Sequence, residues 1–468
     1  MEGTGASTLG AMPAVYPFRA VTFASLKDQS AVVAPPYDVL DAAGKARLLG
    51  RDGRNIVGVD LPHVPAKVLG PAEAYAGAGR RWREMLSDGT LARSERPAMF
   101  AYRQTFVGQD GREKSSRSGM ACVVDTVPMG PRDGGGILPH EETFSGPKED
   151  RLALMRSTNA QLSPVFGLHA DEQGGVGRES GAAARVLEGV MGARRPDRTA
   201  TTEDGTLHEV WTVGDGQTIF AYEKALAGED VYIADGHHRY TTALNYSREV
   251  MAARGGSIGH DHPSRKALVV LVSMADPGLE IRPTHRVLGG MKGYSFEAFA
   301  RAARGVLAIR PAPGGLLDLE KEMNSMTMPP APLPRNVLGL YDFQTRRAYT
   351  ANLTHADPLA KRFAGKPRAW RELDVAIVQH AIVDDVCRPA LNGGEAVEWA
   401  FPHTLEGIAE LGAGAGGAGG FEAQLAVVVR PTPLSAVREI CRAGVLMPQK
   451  STFFYPKLAT GLFMHAME

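Results

Sequence analysis

A chain of 468 residues and 50.0 kDa has material for about two to four domains, each with a buried core. Lys+Arg and Asp+Glu both number 52, so the formal net charge is zero. That balance argues against coating nucleic acid or anionic membrane, which needs a standing positive excess. Cys122, Cys387 and Cys441 are far apart and form no C-x-x-C, which excludes a readable disulfide framework or cysteine zinc site. The N-terminus lacks a basic-then-apolar signal pattern. The longest apolar run, near Ala267 to Ala275, is half a membrane span. The expectation is a cytoplasmic protein that does not engage a membrane, and an enzyme by size.

Residues 1–15 are small and polar without periodicity, and are expected to be disordered. The pattern from Tyr16 is that of a mixed α/β protein. "AVVAPPYDVL" (31–40) predicts a short strand running into a Pro-Pro turn. Tyr75, Ala78, Trp82 and Leu86 lie at helical spacing within 71–89. The β-rich runs 98–106 and 118–125 predict a hairpin, 149–160 a helix, and 163–168, 207–213 and 231–234 strands. The stretch 171–206 reads as an insertion with at most one helix. "KALVVLVSM" (266–274) suits a strand buried on both faces.

The texture changes near residue 300, so 16–300 is expected to form the core and 301–468 a C-terminal α/β region. There, 334–353 predicts a second hairpin and 371–391 the clearest long helix. The Gly/Ala tract 411–420 predicts a flexible loop, and 424–430 a strand. Thr432 and Pro433 suit the N-cap and first turn of the helix that follows.

The sharpest chemical signal is "VYIADGHHRYTTAL" (231–244). A strand ends near Ala234, Asp235-Gly236 turns tightly, and a helix opens at His237. A strand feeding a helix through Gly aims free backbone N–H groups at an anion. Arg239 in the first turn opposes the helix dipole unless an anion sits there. Asp235 as a simple cap, with His237 and His238 bonding nearby backbone, fits the same residues equally well.

A second segment, 137–160, packs His140, Glu141, Glu142, Lys148, Glu149, Asp150 and Arg151 into a dozen positions. Phosphoryl transfer to an alcohol wants one carboxylate for the hydroxyl proton and another for magnesium. Glu141 is a candidate base, with His140 beside it, and Glu142 a candidate metal ligand. Asp38, held by "PPYD", is a second candidate base. "RPTHR" (282–286) brings Thr284, His285 and Arg286 to a strand end, where ligands of α/β sheets gather. The formal G-x-S-x-G at 255–259 and G-x-G-x-x-G at 412–417 lack the strand–turn–helix context those motifs require.

These residues carry a resemblance. "DGHHR" after a strand is similar to the phosphate-binding signature of the ParB/sulfiredoxin superfamily and its free-serine kinases. "YPFRAV" (16–21), "APPYDVL" (34–40), "PHEET" (139–143), "KEDR" (148–151), "GLEIRPTHR" (278–286), "LDVAIV" (373–378) and "MPQKSTFFYPKLATGL" (447–462) together resemble the family of domain of unknown function 1015, from Tyr16 to Leu462. The resemblance implies an α/β fold with a mixed sheet, a ParB/sulfiredoxin-like core and added C-terminal elements. It implies a phosphotransferase using ATP or ADP with Mg²⁺, and free L-serine as leading acceptor. In it Asp235, Gly236, His237, His238 and Arg239 surround phosphates. His237 stands where sulfiredoxins place their catalytic cysteine, which argues against thiol chemistry. A phosphatase or nucleotide hydrolase using the same loop, and a ParB-like DNA-binding regulator, remain the alternatives. Neither the physiological acceptor nor the oligomeric state is legible.

The last segment pairs Lys450 and Lys457 in a chain with 13 lysines against 39 arginines. Phe453, Phe454 and Tyr455 lie between them and would be costly to expose together. The segment is therefore expected to dock on the "DGHHR" loop. Lys450 is its candidate catalytic cation; Ser451, Thr452 and Lys457 are candidate contacts to phosphate or substrate carboxylate.

Overall fold

The computed structural model describes residues 14–108, 111–171, 181–326, 336–414 and 421–468, and the fold is mixed α/β. It divides into two compact units. The first runs to Glu280 and includes Phe454–Glu468; the second is Ile281–Phe453.

The first unit is built on a nine-stranded sheet. Its strands are β1 Val15–Tyr16, β2 Met99–Val107, β3 Lys114–Asp125, β4 Ile137–Leu138, β5 Val165–His169, β6 Arg198–Thr201, β7 Leu207–Val213, β8 Val231–Asp235 and β9 Lys266–Ser273. Their order is β4-β8-β5-β9-β3-β2-β7-β6, with β1 added to β3. The pairs β4–β8 and β5–β9 are parallel and the others antiparallel. β9 is buried along its whole length between β5 and β3, as an unbroken apolar run requires. The one charged residue in it, Lys266, reaches Asp125 Oδ1 at 2.6 Å.

Two helices position the site: α1, Ser145–Thr158, and α2, His237–Ala253. The buried residues of α1 are Asp150, Arg151, Leu154, Met155 and Thr158, a single stripe that includes two charged side chains. Arg156 and Glu249 join the exposed flanks of α1 and α2 at 2.6 Å. A small antiparallel sheet orders Leu91–Arg93, Ala20–Phe23, Met464–Ala466 and Ala160–Gln161, so the last strand of the chain is sewn into the first unit.

One local expectation changes and another gains an edge strand. No strand forms over 31–40: Pro35 and Pro36 offer no N–H, and the segment makes a single bridge from Ala34 to Thr460 before a 3₁₀ turn at Tyr37–Val39. Of 171–206, residues 172–180 lie outside the described residues; the remainder holds a helix, Ala182–Ala193, and the edge strand β6.

The second unit carries a six-stranded sheet in which every pair is antiparallel. Its strands are β10 Arg286–Gly289, β11 Leu307–Ala312, β12 Val337–Asp342, β13 Arg347–Leu353, β14 Glu398–Ala400 and β15 Ala423–Val428, ordered β11-β13-β12-β15-β10-β14. Val287, Leu319, Val337, Ile408 and Val428 form its core. β12 and β13 are the expected second hairpin, of which 334–335 lie outside the described residues. The expected long helix is interrupted: short α segments cover Arg368–Arg371 and Asp374–Ile377, and Val378–Leu391 continues in wide π turns containing Pro389. The Gly/Ala tract begins at the end of a helix, Leu405–Gly412, and its residues 415–420 lie outside the described residues. Thr432 does not cap the following helix; its hydroxyl donates to Ser451 O at 2.6 Å, and Pro433 takes the cap position.

Candidate functional site

β8 ends at Asp235, Gly236 turns the chain with φ 93°, and α2 begins at His237. The positive φ favours glycine, and a Cβ there would lie 2.9 Å from Arg239 Nε, so the guanidinium would have to shift to admit it. No side chain caps α2. Its first N–H groups therefore have no intrahelical acceptor, and the positive end of the helix dipole is left for an anion.

Asp235 serves two cations instead of the helix. Lys457 Nζ donates to its Oδ1 at 2.7 Å, and Arg239 Nη2 donates to its Oδ2. Arg239 Nη1 also donates to Pro164 O. Burial pushes the Asp235 carboxyl up, but Lys457 and Arg239 outweigh it and hold the group below the usual carboxylate range. Two cations on one carboxylate leave one positive charge at the uncapped helix end.

The returning C-terminal segment is held rigidly. Buried Arg117 donates to Tyr455 O at 2.9 Å and Pro456 O at 2.7 Å, and Gln104 Nε2 donates to Lys457 O at 2.9 Å. Phe454 is fully buried against Phe166. The Tyr455–Pro456 peptide is cis.

The histidines are partly spent on backbone. His140 Nδ1–H donates to Ile233 O at 2.8 Å, His237 Nε2 accepts from His140 N–H at 3.2 Å, and His238 Nε2 accepts from Phe144 N–H at 3.0 Å. Burial lowers the pKa of His140 and His237, so both rings are neutral near pH 7. A neutral His237 with Nε2 accepting keeps its proton on Nδ1 as a donor.

His140, Glu141 and His237 each place a ligand atom within 4.8 Å of the others. Two imidazoles suit a borderline metal and not Mg²⁺, which wants oxygen donors. The Nε2 lone pair of His237 is moreover engaged by the His140 N–H. The donors that fit Mg²⁺ are the carboxylates of Glu141, half-buried, and Glu142, exposed. Asp38 is 3.6 Å from Lys67 and is ion-paired there.

Sequence reasoning passed over a second polar group. Asp150 is fully buried and accepts from Tyr75 Oη at 2.8 Å and Arg151 Nε at 2.9 Å, with His63 Nε2 at 3.0 Å. Arg151 Nη1 donates to Asp60 O at 2.6 Å, and its guanidinium lies 3.8 Å from the Tyr37 ring centroid. The signal was present: Leu154 and Met155, stepped back one helical turn, fall on Asp150 and Arg151.

Thr284, His285, Arg286, Lys450, Ser451 and Thr452 belong to the second unit. There Thr284 Oγ1 meets His403 Nδ1 at 3.3 Å, and His285 Nδ1 accepts from Val429 N–H at 3.3 Å. Arg286 donates to Thr284 O, Gln449 O and Lys450 O, and Ser451 Oγ donates to Pro448 O. Lys450 is exposed, at φ 56°.

The model of the family described as protein of unknown function (DUF1015) matches residues 15–376. The chain belongs to this family. No curated protein matches it. Among solved structures, a free serine kinase in complex with AMP is similar at 11% identity and a TM-score of 0.31, covering 70% of this chain and 88% of that one. A variant of that kind of kinase in complex with ADP matches at 10% identity and a TM-score of 0.31, over 70% and 89%. A conserved hypothetical protein from Pyrococcus furiosus matches at 11% identity and 0.29, over 70% and 92%. Among the described residues no helix is long and apolar enough to cross a membrane.

Proposed function

We propose that this site transfers the terminal phosphoryl group of ATP or ADP to the hydroxyl of a small acceptor, with free L-serine the acceptor to test first. The observation that carries the reading is the meeting of Lys457 and Arg239 on Asp235 at the uncapped start of α2. Phosphates would take N–H groups at the uncapped start of α2 and the Nδ1–H of His237, with Lys457 and Arg239 supplying charge. Glu141, next to His140, would take the hydroxyl proton; Asp38, committed to Lys67, is the weaker candidate. The acceptor oxygen forms its bond to the terminal phosphorus as the bridging P–O bond breaks, releasing ADP or AMP. Mg²⁺, held by Glu142 and phosphate oxygens, would neutralise charge on the transferred group.

The test is calorimetry of purified protein with ATP and with ADP in Mg²⁺ buffer, followed by detection of O-phosphoserine. Binding of neither nucleotide, with no phosphoserine from either, overturns the proposal. Free phosphate released without phosphoserine would assign the loop to hydrolysis instead.

A further inference from the structure

In the first unit, the loop from His63 to Gly70 is anchored at both ends and apolar in between. His63 Nε2 meets Asp150 Oδ1 at 3.0 Å. The Gly70 N–H donates to Tyr75 Oη at 2.8 Å, and that hydroxyl donates to the same carboxylate oxygen. Between these anchors Val64, Val68 and Leu69 are 40–55% exposed. A mobile loop can turn such side chains inward, whereas one fixed at both ends to a buried carboxylate holds them in water.

Two more exposed apolar side chains gather at this loop. Lys67 Nζ lies 3.6 Å from Asp38 Oδ2, which brings the neighbouring Val39 to it. The Lys67 carbonyl oxygen packs on Gly146, where a Cβ would lie 2.9 Å away, and Phe144, 42% exposed, is two residues before. Single apolar side chains on a surface are ordinary, but a group of them marks a face that something apolar covers. Phe144 joins that face to the phosphate site. Its N–H donates to His238 Nε2 at 3.0 Å, and its ring lies 6.2 Å from the His238 ring in the first turn of α2. A molecule with phosphates for the helix start and a flat apolar group for the adjoining face is a nucleotide, whose ribose bridges the two.

We infer that this face seats the base of the phosphoryl donor, stacked on the ring of Phe144 with the Val64–Leu69 loop beside it. The inference rests on the phosphotransferase reading and deepens it, dividing recognition of the donor between phosphates at α2 and the base at Phe144. An aromatic ring stacks on the face of any base, so this contact holds a purine without reading its edge. The buried Asp150 gains a task as well: through His63 and Tyr75 it fixes the loop that carries the apolar side chains.

Phe144→Ala removes the ring and keeps the backbone N–H that His238 accepts. Calorimetry on the full chain in Mg²⁺ buffer would titrate ADP and, separately, pyrophosphate, which carries the phosphates without a base. ADP should bind wild type more tightly than pyrophosphate. Phe144→Ala should bind ADP about tenfold more weakly than wild type, the loss of one base stack. Its pyrophosphate affinity and melting temperature should stay level, because the ring is exposed. Phe144→Trp, with a larger ring, should restore ADP affinity. Full ADP affinity in Phe144→Ala, an equal loss for ADP and pyrophosphate, or a loss in Phe144→Trp as large as in Phe144→Ala overturns the inference. Wild type that binds neither compound overturns the phosphotransferase reading and the base site together; pyrophosphate binding that persists while Phe144→Ala keeps full ADP affinity overturns the base site alone.

Discussion

The two units differ in where they leave polar groups. In the second, the candidate residues are absorbed by local structure: Ser451 bonds Pro448 O and Arg286 the carbonyls of Thr284, Gln449 and Lys450. In the first, β8 runs directly into α2, and the junction gathers Asp235, Arg239, His237, His140 and Lys457 with the helix end uncapped. The difference lies at the helix start. β8 passes through Gly236 into a helix that no side chain caps, so aligned N–H groups remain at the strand's end, whereas in the second unit Ser295 and Thr404 cap the helices that begin at Phe296 and Leu405.

Acid should break the first unit before the second. Burial lowers His169, His208 and His465 to about 4 in the first unit, and His285 to about 3 in the second. The unfolded histidines, near 6.5, bind protons first as pH falls, so stability is lost between about 6.5 and 4. From pH 7.5 to 5 each should cost on the order of 2 kcal/mol, hence about 6 in the first unit and about 2 in the second. Asp235, held below its usual range, adds to the loss at still lower pH. Hydrogen exchange read peptide by peptide in urea checks the order; equal loss in both units would erase the contrast.

Lys457→Ala should weaken ATP binding by about 100-fold, near 3 kcal/mol, because one of two cations on a half-buried carboxylate is lost. Unchanged affinity would remove Lys457 from the site. Gly236→Ala comes next. A methyl at φ 93°, 2.9 Å from Arg239 Nε, should lower stability by about 1–2 kcal/mol and displace the guanidinium, which denaturant unfolding and calorimetry would both register. In the second unit, Ser451→Ala should cost about 1 kcal/mol of stability with nucleotide affinity intact. Smallest of all, exposed Lys450→Ala should stay within about 0.5 kcal/mol in stability and leave ATP affinity unmoved. Lost affinity in either of these last two would bring the second unit into the chemistry.

What the sequence determined by itself is local. The turn at Gly236, the hairpin of β2 and β3, the buried run of β9 and the neighbouring histidines and acids of 139–151 follow from period, turn chemistry and spacing, which a short window contains. The reading failed where prolines removed strand donors at 35–36, and where Thr432 spent its hydroxyl across the unit and not on the next helix. Tertiary structure alone decided that Lys457, 222 residues from Asp235, meets its carboxylate. It also decided that Arg151 and Thr242 are buried. Which distant segments meet is set by how whole sheets and helices pack to bury their apolar faces, and that choice is made by the assembled core, not by any window of the chain.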